Sequence, residues 1–178
     1  QVVAIELIAF NMAIECGALS KEEFETIKSE FYCLDTKIGQ ILDESEKIKA
    51  LAEKYSKSRN VFFIGRGLDY VVSKEGSLKL KEIAYLHSEA YAAGELKHGP
   101  IAMIDDETLV IAILTQEKLF DKTLSNIKEV KARGASVIAI AMEGNNIAAG
   151  EADDIIYIPR AMWSIAPVLA AVPAQLFA

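Results

Sequence analysis

Only two cysteines, two histidines, four prolines and one tryptophan occur among the 178 residues. Cys16 and Cys33 have no CxxC spacing and no histidines around them, so a zinc ribbon or a dithiol redox centre is excluded and both are expected as free thiols. No metal and no cofactor is expected. Nowhere does an apolar run last the ~20 residues that a membrane-spanning helix needs, and residues 1–10 lack the basic flank and cleavage site of a leader. A cytoplasmic protein with no membrane partner is the expectation. Basic residues are also in the minority: 19 Lys and Arg face 26 Asp and Glu, for a net charge of −7. That balance supplies no positive field for a nucleic-acid backbone, which excludes nucleic acid as a partner. A phosphorylated ligand would therefore have to be held locally, by hydroxyls and backbone amides.

What is present is the material of one folded core. Hydrophobic residues make up 52% of the chain and charged residues 25%, as in compact globular domains of this length. Residues 1–19 are apolar almost all round and begin without a cap, which reads as the end of a longer helix. Ser20-Lys21-Glu22-Glu23 is a helix start, with a hydroxyl at the N-cap and a carboxylate three positions on. Ile38, Ile41, Leu42, Ile48, Leu51, Ala52 and Tyr55 then recur at helical spacing over residues 37–56. The end of the chain, 165–178, is an apolar helical run interrupted by Pro167 and Pro173, with no capping residue.

From residue 60 the pattern changes. Short apolar runs at 60–65, 108–115, 136–141 and 154–159, with a weaker one at 88–92, alternate with helical stretches at 68–87, 117–133 and near 145–151. Gly134 is placed to stop the second of these helices. This alternation predicts an α/β fold: a doubly wound parallel sheet of four or five strands, helices on both faces, preceded by helices. In such sheets ligands bind beyond the carboxyl ends of the strands, where strand order reverses.

The strand exits are thus where candidates are sought. Gly65-Arg66-Gly67 ends the first strand and leads into a helix, a turn that could present amides and a cation to an anion or equally leave a solvated Arg on a tight bend. Gly76, inside that helix, marks a close approach by a backbone or a ligand. Lys79 and Glu82 are three residues apart and share a face, which for an isolated pair would mean a surface ion pair. His87 ends the apolar stretch and reads as a capping histidine. His98, followed by Gly99-Pro100, sits where a turn presents its ring at an edge. Trp163 and the six tyrosines are assigned to packing.

Three runs together carry a resemblance: Phe62-Phe63-Ile64-Gly65-Arg66-Gly67; Glu75-Gly76-Ser77-Leu78-Lys79-Leu80-Lys81-Glu82-Ile83; and Glu89-Ala90-Tyr91-Ala92-Ala93-Gly94-Glu95-Leu96-Lys97-His98-Gly99-Pro100. With them, nearly the whole chain resembles the glutamine:fructose-6-phosphate aminotransferase (glucosamine-6-phosphate synthase) family of the SIS, or sugar isomerase, superfamily. The resemblance implies the second of two tandem SIS halves, with residues 1–56 a helical lead-in from the preceding half and 57–178 an SIS domain truncated at its C-terminus. It implies a sugar phosphate as partner, with a glutaminase and a first SIS domain elsewhere in the same chain. Glu82 would be the base moving a proton between sugar carbons 1 and 2, Lys79 would lie beside it, and His98 would open the sugar ring from the neighbouring subunit of a homodimer. Gly65, Arg66 and Gly67 are substrate-binding candidates by their place at the exit of the first strand rather than by the resemblance.

The chemistry asks for such groups independently: one positioned carboxylate suffices to shuttle a proton between adjacent carbons, and imidazole suits proton transfer near neutral pH. Two departures from the family pattern stand out. Its phosphate grip is rich in Ser and Thr, whereas this strand exit reads Thr115-Gln116-Glu117-Lys118, so this half is not expected to hold the phosphate. The family also ends in a tail bearing a Schiff-base Lys, whereas this chain stops at Ala178, so the isolated piece is expected to be inactive. The alternatives are a non-catalytic SIS-type sugar-phosphate sensor, or a different isomerising or deaminating SIS enzyme.

Overall fold

The computed structural model describes residues 2–145 and 148–178. Helix α1 (Val2–Glu15) buries none of its residues. Ser20 then caps α2 (Lys21–Tyr32) as its spacing predicts: its hydroxyl accepts the Glu23 N–H at 3.1 Å, and the Glu23 carboxylate accepts the Ser20 N–H at 2.9 Å. The apolar stretch at 37–56 is two helices rather than one, α3 (Leu34–Asp43) and α4 (Ser45–Tyr55), meeting at Glu44. Asp43, Glu44 and Ser45 form a polar interruption in which Asp and Ser compete poorly for the helical interior. Ile41 and Ile48, on either side of it, both reach the core.

Five strands follow: β1 (Asn60–Gly65), β2 (Ser88–Ala92), β3 (Thr108–Leu114), β4 (Ser136–Met142) and β5 (Asp154–Ile158). They form one sheet in the order β2-β1-β3-β4-β5, every pairing parallel. The weak run at 88–92 is a full member, pairing Phe63 of β1 with Ala90. Successive residues point to opposite faces of a strand, so continuous apolar runs feed two cores at once. Val61, Phe63, Leu109, Ile111, Ile138 and Ile140 face α3, α4, α5 (Leu68–Lys79) and α7 (Ala166–Phe177). Phe62, Ile64, Val110, Ala112, Val137 and Ala139 face α6 (Phe120–Lys131) and the 3-10 turns that carry Leu96. The expected doubly wound α/β sheet with helices on both faces is what the chain forms.

Three boundaries differ from the sequence reading. The helix expected at 68–87 ends as α5 at Lys79, continues as a π-helical turn, Leu80–Ala84, and stops at Tyr85, whose φ of 55° is left-handed. His87 therefore lies past the helix end and does not cap it; its side chain is 67% exposed and its ring lies 4.0 Å from Glu89. The stretch at 117–133 opens with a 3-10 turn, Glu117–Leu119, before α6, and Gly134 ends it at φ 97° as expected. Of the stretch near 145–151, the described residues include a short 3-10 turn, Ala148–Gly150; Asn146 and Ile147 lie outside the described residues. Pro173 is accepted inside α7, where it is buried. Cys16 and Cys33 are free and exposed. No helix among the described residues is long and apolar enough to cross a membrane.

Candidate active site

The loop between β1 and β2 positions the first candidate pair. Gly76 lets α5 lie against β1 so closely that a Cβ there would meet the Phe63 ring at 2.5 Å. The close approach expected at this glycine is thus made by a core aromatic ring. Anchored in that way, α5 runs into the π-helical turn, and Lys79 Nζ donates to Glu82 Oε2 at 2.7 Å. Glu75 lies 3.8 Å from the same ammonium and accepts a hydrogen bond from Gln175 of α7. Its bond to Glu82, with Glu75 adding to the effect, holds Lys79 above the ordinary lysine value, so Lys79 stays cationic. The Glu82 side chain remains half exposed. A π-helical turn widens the helix and re-aims its side chains, and such turns recur at functional sites.

His98 ends the 3-10 segment Ala93–His98 and is exposed. That segment packs on the second face of the sheet through Leu96, whereas the turn bearing Glu82 packs on the first face through Leu80. One copy of the chain therefore brings Lys79 to Glu82, while the segment that ends at His98 is anchored on the opposite face of the sheet.

The third candidate group sits at the reversal of strand order, between the carboxyl ends of β1 and β3. The Arg66 guanidinium donates from Nε and Nη2 to Asn126 Oδ1, at 3.2 and 2.9 Å, and rests on Gly94, where a Cβ would lie 2.9 Å from Nη2. Asn126 in turn donates to Glu129. Gly65 admits the first turn of α5 against the strand end, and Gly67 turns the chain at φ 59°.

Asp69 and Asn126 were not singled out by sequence. Asp69 is 1% exposed and accepts three hydrogen bonds: Thr115 N–H at 2.9 Å and Gln116 N–H at 3.2 Å on Oδ2, and the Thr115 hydroxyl on Oδ1. Nothing in the local pattern separates a buried first-turn Asp from a solvated one, because its partners are 46 residues away. Glu75 could have been found, since it stands one turn before Lys79.

Burial pushes the Asp69 carboxyl up to about 6, against an ordinary value of 3.8, and the three donors offset only part of that. The folded state thus holds a proton at Asp69 more tightly than the unfolded chain. Its favourable contribution is complete below about pH 4 and is lost as pH rises through about 6. Urea unfolding of wild type and Asp69→Asn at pH 4.5 and 7.5 is expected to show the wild type gaining about 2 kcal/mol on the variant at the lower pH.

The family model for the SIS domain matches residues 54–178. The glutamine–fructose-6-phosphate aminotransferase (isomerizing) of Clostridium tetani is 52% identical over 177 residues, covering 99% of this chain and 29% of the relative. That of Thermus thermophilus is 44% identical over 176 residues, again covering 99% and 29%. The solved C-terminal domain of the glucosamine-fructose-6-phosphate aminotransferase from Francisella tularensis superposes with a TM-score of 0.91 at 32% identity, over 98% of this chain and 49% of that one. The chain thus spans under a third of the length of these curated relatives.

Proposed function

The chain belongs to the SIS domain family, and from that footing we propose that it is the second sugar-isomerase half of a cytoplasmic glutamine:fructose-6-phosphate aminotransferase. In this reading residues 1–56 lead in from a preceding SIS half and 57–178 form the SIS domain. A glutaminase elsewhere in the longer protein supplies ammonia, fructose 6-phosphate is the acceptor, and glucosamine 6-phosphate is the product.

The observation that carries the reading is the Lys79–Glu82 pair on its π-helical turn, set within a chain 52% identical to such an aminotransferase. Turning a 2-ketose imine into a 2-amino aldose removes a proton from carbon 1 and returns one to carbon 2. A single half-exposed carboxylate beside a fixed ammonium can take and return that proton, while the cation steadies the negative charge that builds between the carbons. Opening the ring needs an acid-base group near neutral pH, the role of His98. Any sugar contact from the Gly65-Arg66-Gly67 turn would come from the guanidinium donors that Asn126 leaves unused. The isolated piece, without the other halves of the site, would be inactive. No observation favours the sensor reading.

Within one copy the segment that ends at His98 is anchored on the opposite face of the sheet from the turn bearing Glu82, which supports a site completed by a second copy in a homodimer. Complementation tests this. Dimers carrying Glu82→Gln in one copy and His98→Ala in the other keep both groups in one of two shared sites. Random mixing of the two inactive variants of the full enzyme is expected to restore roughly a quarter of wild-type synthesis. If mixtures stay as inactive as their parents, the shared site is wrong.

A further inference from the structure

The reversal point between β1 and β3 is where sheets of this type hold a ligand, and here its donors are already taken. Two adjacent backbone amides and a hydroxyl at a strand exit, as at Thr115 and Gln116, are the donor set that cradles a phosphate or carboxylate oxygen. All three point at Asp69. The Gln116 side chain closes the same place from outside, donating to Thr115 Oγ1 at 3.2 Å and to the Trp163 carbonyl at 3.3 Å. Arg66, the cation of this crevice, is turned onto Asn126.

We propose that Asp69 is the resident anion of this cradle: its carboxylate occupies the position a ligand phosphate would take, and it makes the crevice between β1 and β3 refuse phosphorylated compounds.

The geometry accounts for how a residue 46 positions away in sequence can serve. Gly65 has no Cβ, so the first turn of α5 closes onto the end of β1, with the Asp69 carbonyl carbon 2.5 Å from where a Cβ would lie. From that seat the side chain spans to the end of β3. A short carboxylate fills the cradle with two oxygens and almost no exposed surface. A second anion would have to displace it or approach a buried negative charge, and either is strongly unfavourable. Asp69 is therefore a specificity determinant. It gives a physical reason for this half not to hold phosphate, which a shortage of hydroxyls alone would not, since Thr115 and two amides are present. The inference concerns this crevice only and stands whether or not Glu82 is the isomerase base.

The experiment is a titration of the isotope-labelled chain with inorganic phosphate at pH 7.5, followed through the amide resonances of Thr115 and Gln116. Wild type is expected to show no saturable shift there. Asp69→Gly and Asp69→Ser vacate the cradle, and each is expected to bind phosphate at least about tenfold more tightly than wild type, with the change centred on those two amides. Far-ultraviolet circular dichroism establishes that each variant is folded, and the serine variant keeps a short polar group should the glycine variant lose the α5 start. Folded variants whose Thr115 and Gln116 amides ignore phosphate would overturn the proposal. So would saturable binding at these amides in the wild type, a result that needs no variant at all.

Discussion

Glu82→Gln in the full enzyme is expected to cut glucosamine 6-phosphate synthesis by at least about a hundredfold, the usual scale of a positioned acid-base group, while glutamine hydrolysis continues. The substitution is close to isosteric, and the amide oxygen can still accept from Lys79, so the π-helical turn need not rearrange. What is lost is the ability to take a proton from carbon. Glu82 is half exposed and lies outside both hydrophobic cores, so its removal is not expected to unfold the domain. Parallel assays of glutaminase and synthase rates separate the possibilities. A synthase rate within a few fold of wild type would remove Glu82 from the mechanism. Equal loss of both activities would make its role structural.

Gly65→Ala is expected to destabilise the fold by about 3 kcal/mol, the upper part of the range for forcing one carbon into a packed site. A Cβ at Gly65 would lie 2.5 Å from the Asp69 carbonyl carbon, 2.6 Å from its oxygen and 2.8 Å from the Tyr70 nitrogen. These are backbone atoms, so no rotamer change relieves the overlap. The first turn of α5 must lift from the strand end, which also draws Asp69 away from Thr115. Gly39→Ala provides the comparison: it sits inside α3 with nothing within 4 Å of the added carbon. There the expected change is a stabilisation of up to about 1 kcal/mol, from helix propensity. Denaturant midpoints for the two variants should move in opposite directions, and a Gly65→Ala midpoint at the wild-type value would contradict the close approach.

The legible parts of the fold were those whose cause is local. Alternating apolar runs announced the parallel sheet because strands buried on both faces must be apolar throughout, and β1 and the capping box at Ser20 fell where the residues put them. The errors were at ends. Tyr85 adopts a left-handed conformation that its own chemistry disfavours, so nothing in the stretch 68–87 marked the stop before β2. The break at Glu44 was masked by the apolar spacing that continues through α3 and α4. His87 falls beyond the helix end because the left-handed turn at Tyr85 stops the helix first.

For the site the division follows range. Lys79 and Glu82 are three residues apart, and the continuous helical turn that carries them brings their charged groups to 2.7 Å. The capture of Arg66 by Asn126 and the seating of Asp69 on Thr115 each join elements tens of residues apart, and the face on which the segment ending at His98 packs depends on the second core. Side-chain periodicity specifies which face of a strand or helix is buried, and it did so here. Which strand end meets which helix start follows from strand order, and strand order is set by how the two cores pack rather than by any short run of residues. That is why the sheet and the carboxylate-ammonium pair could be read along the chain, while the filled cradle at the reversal point emerged only when β1, α5 and β3 were brought together.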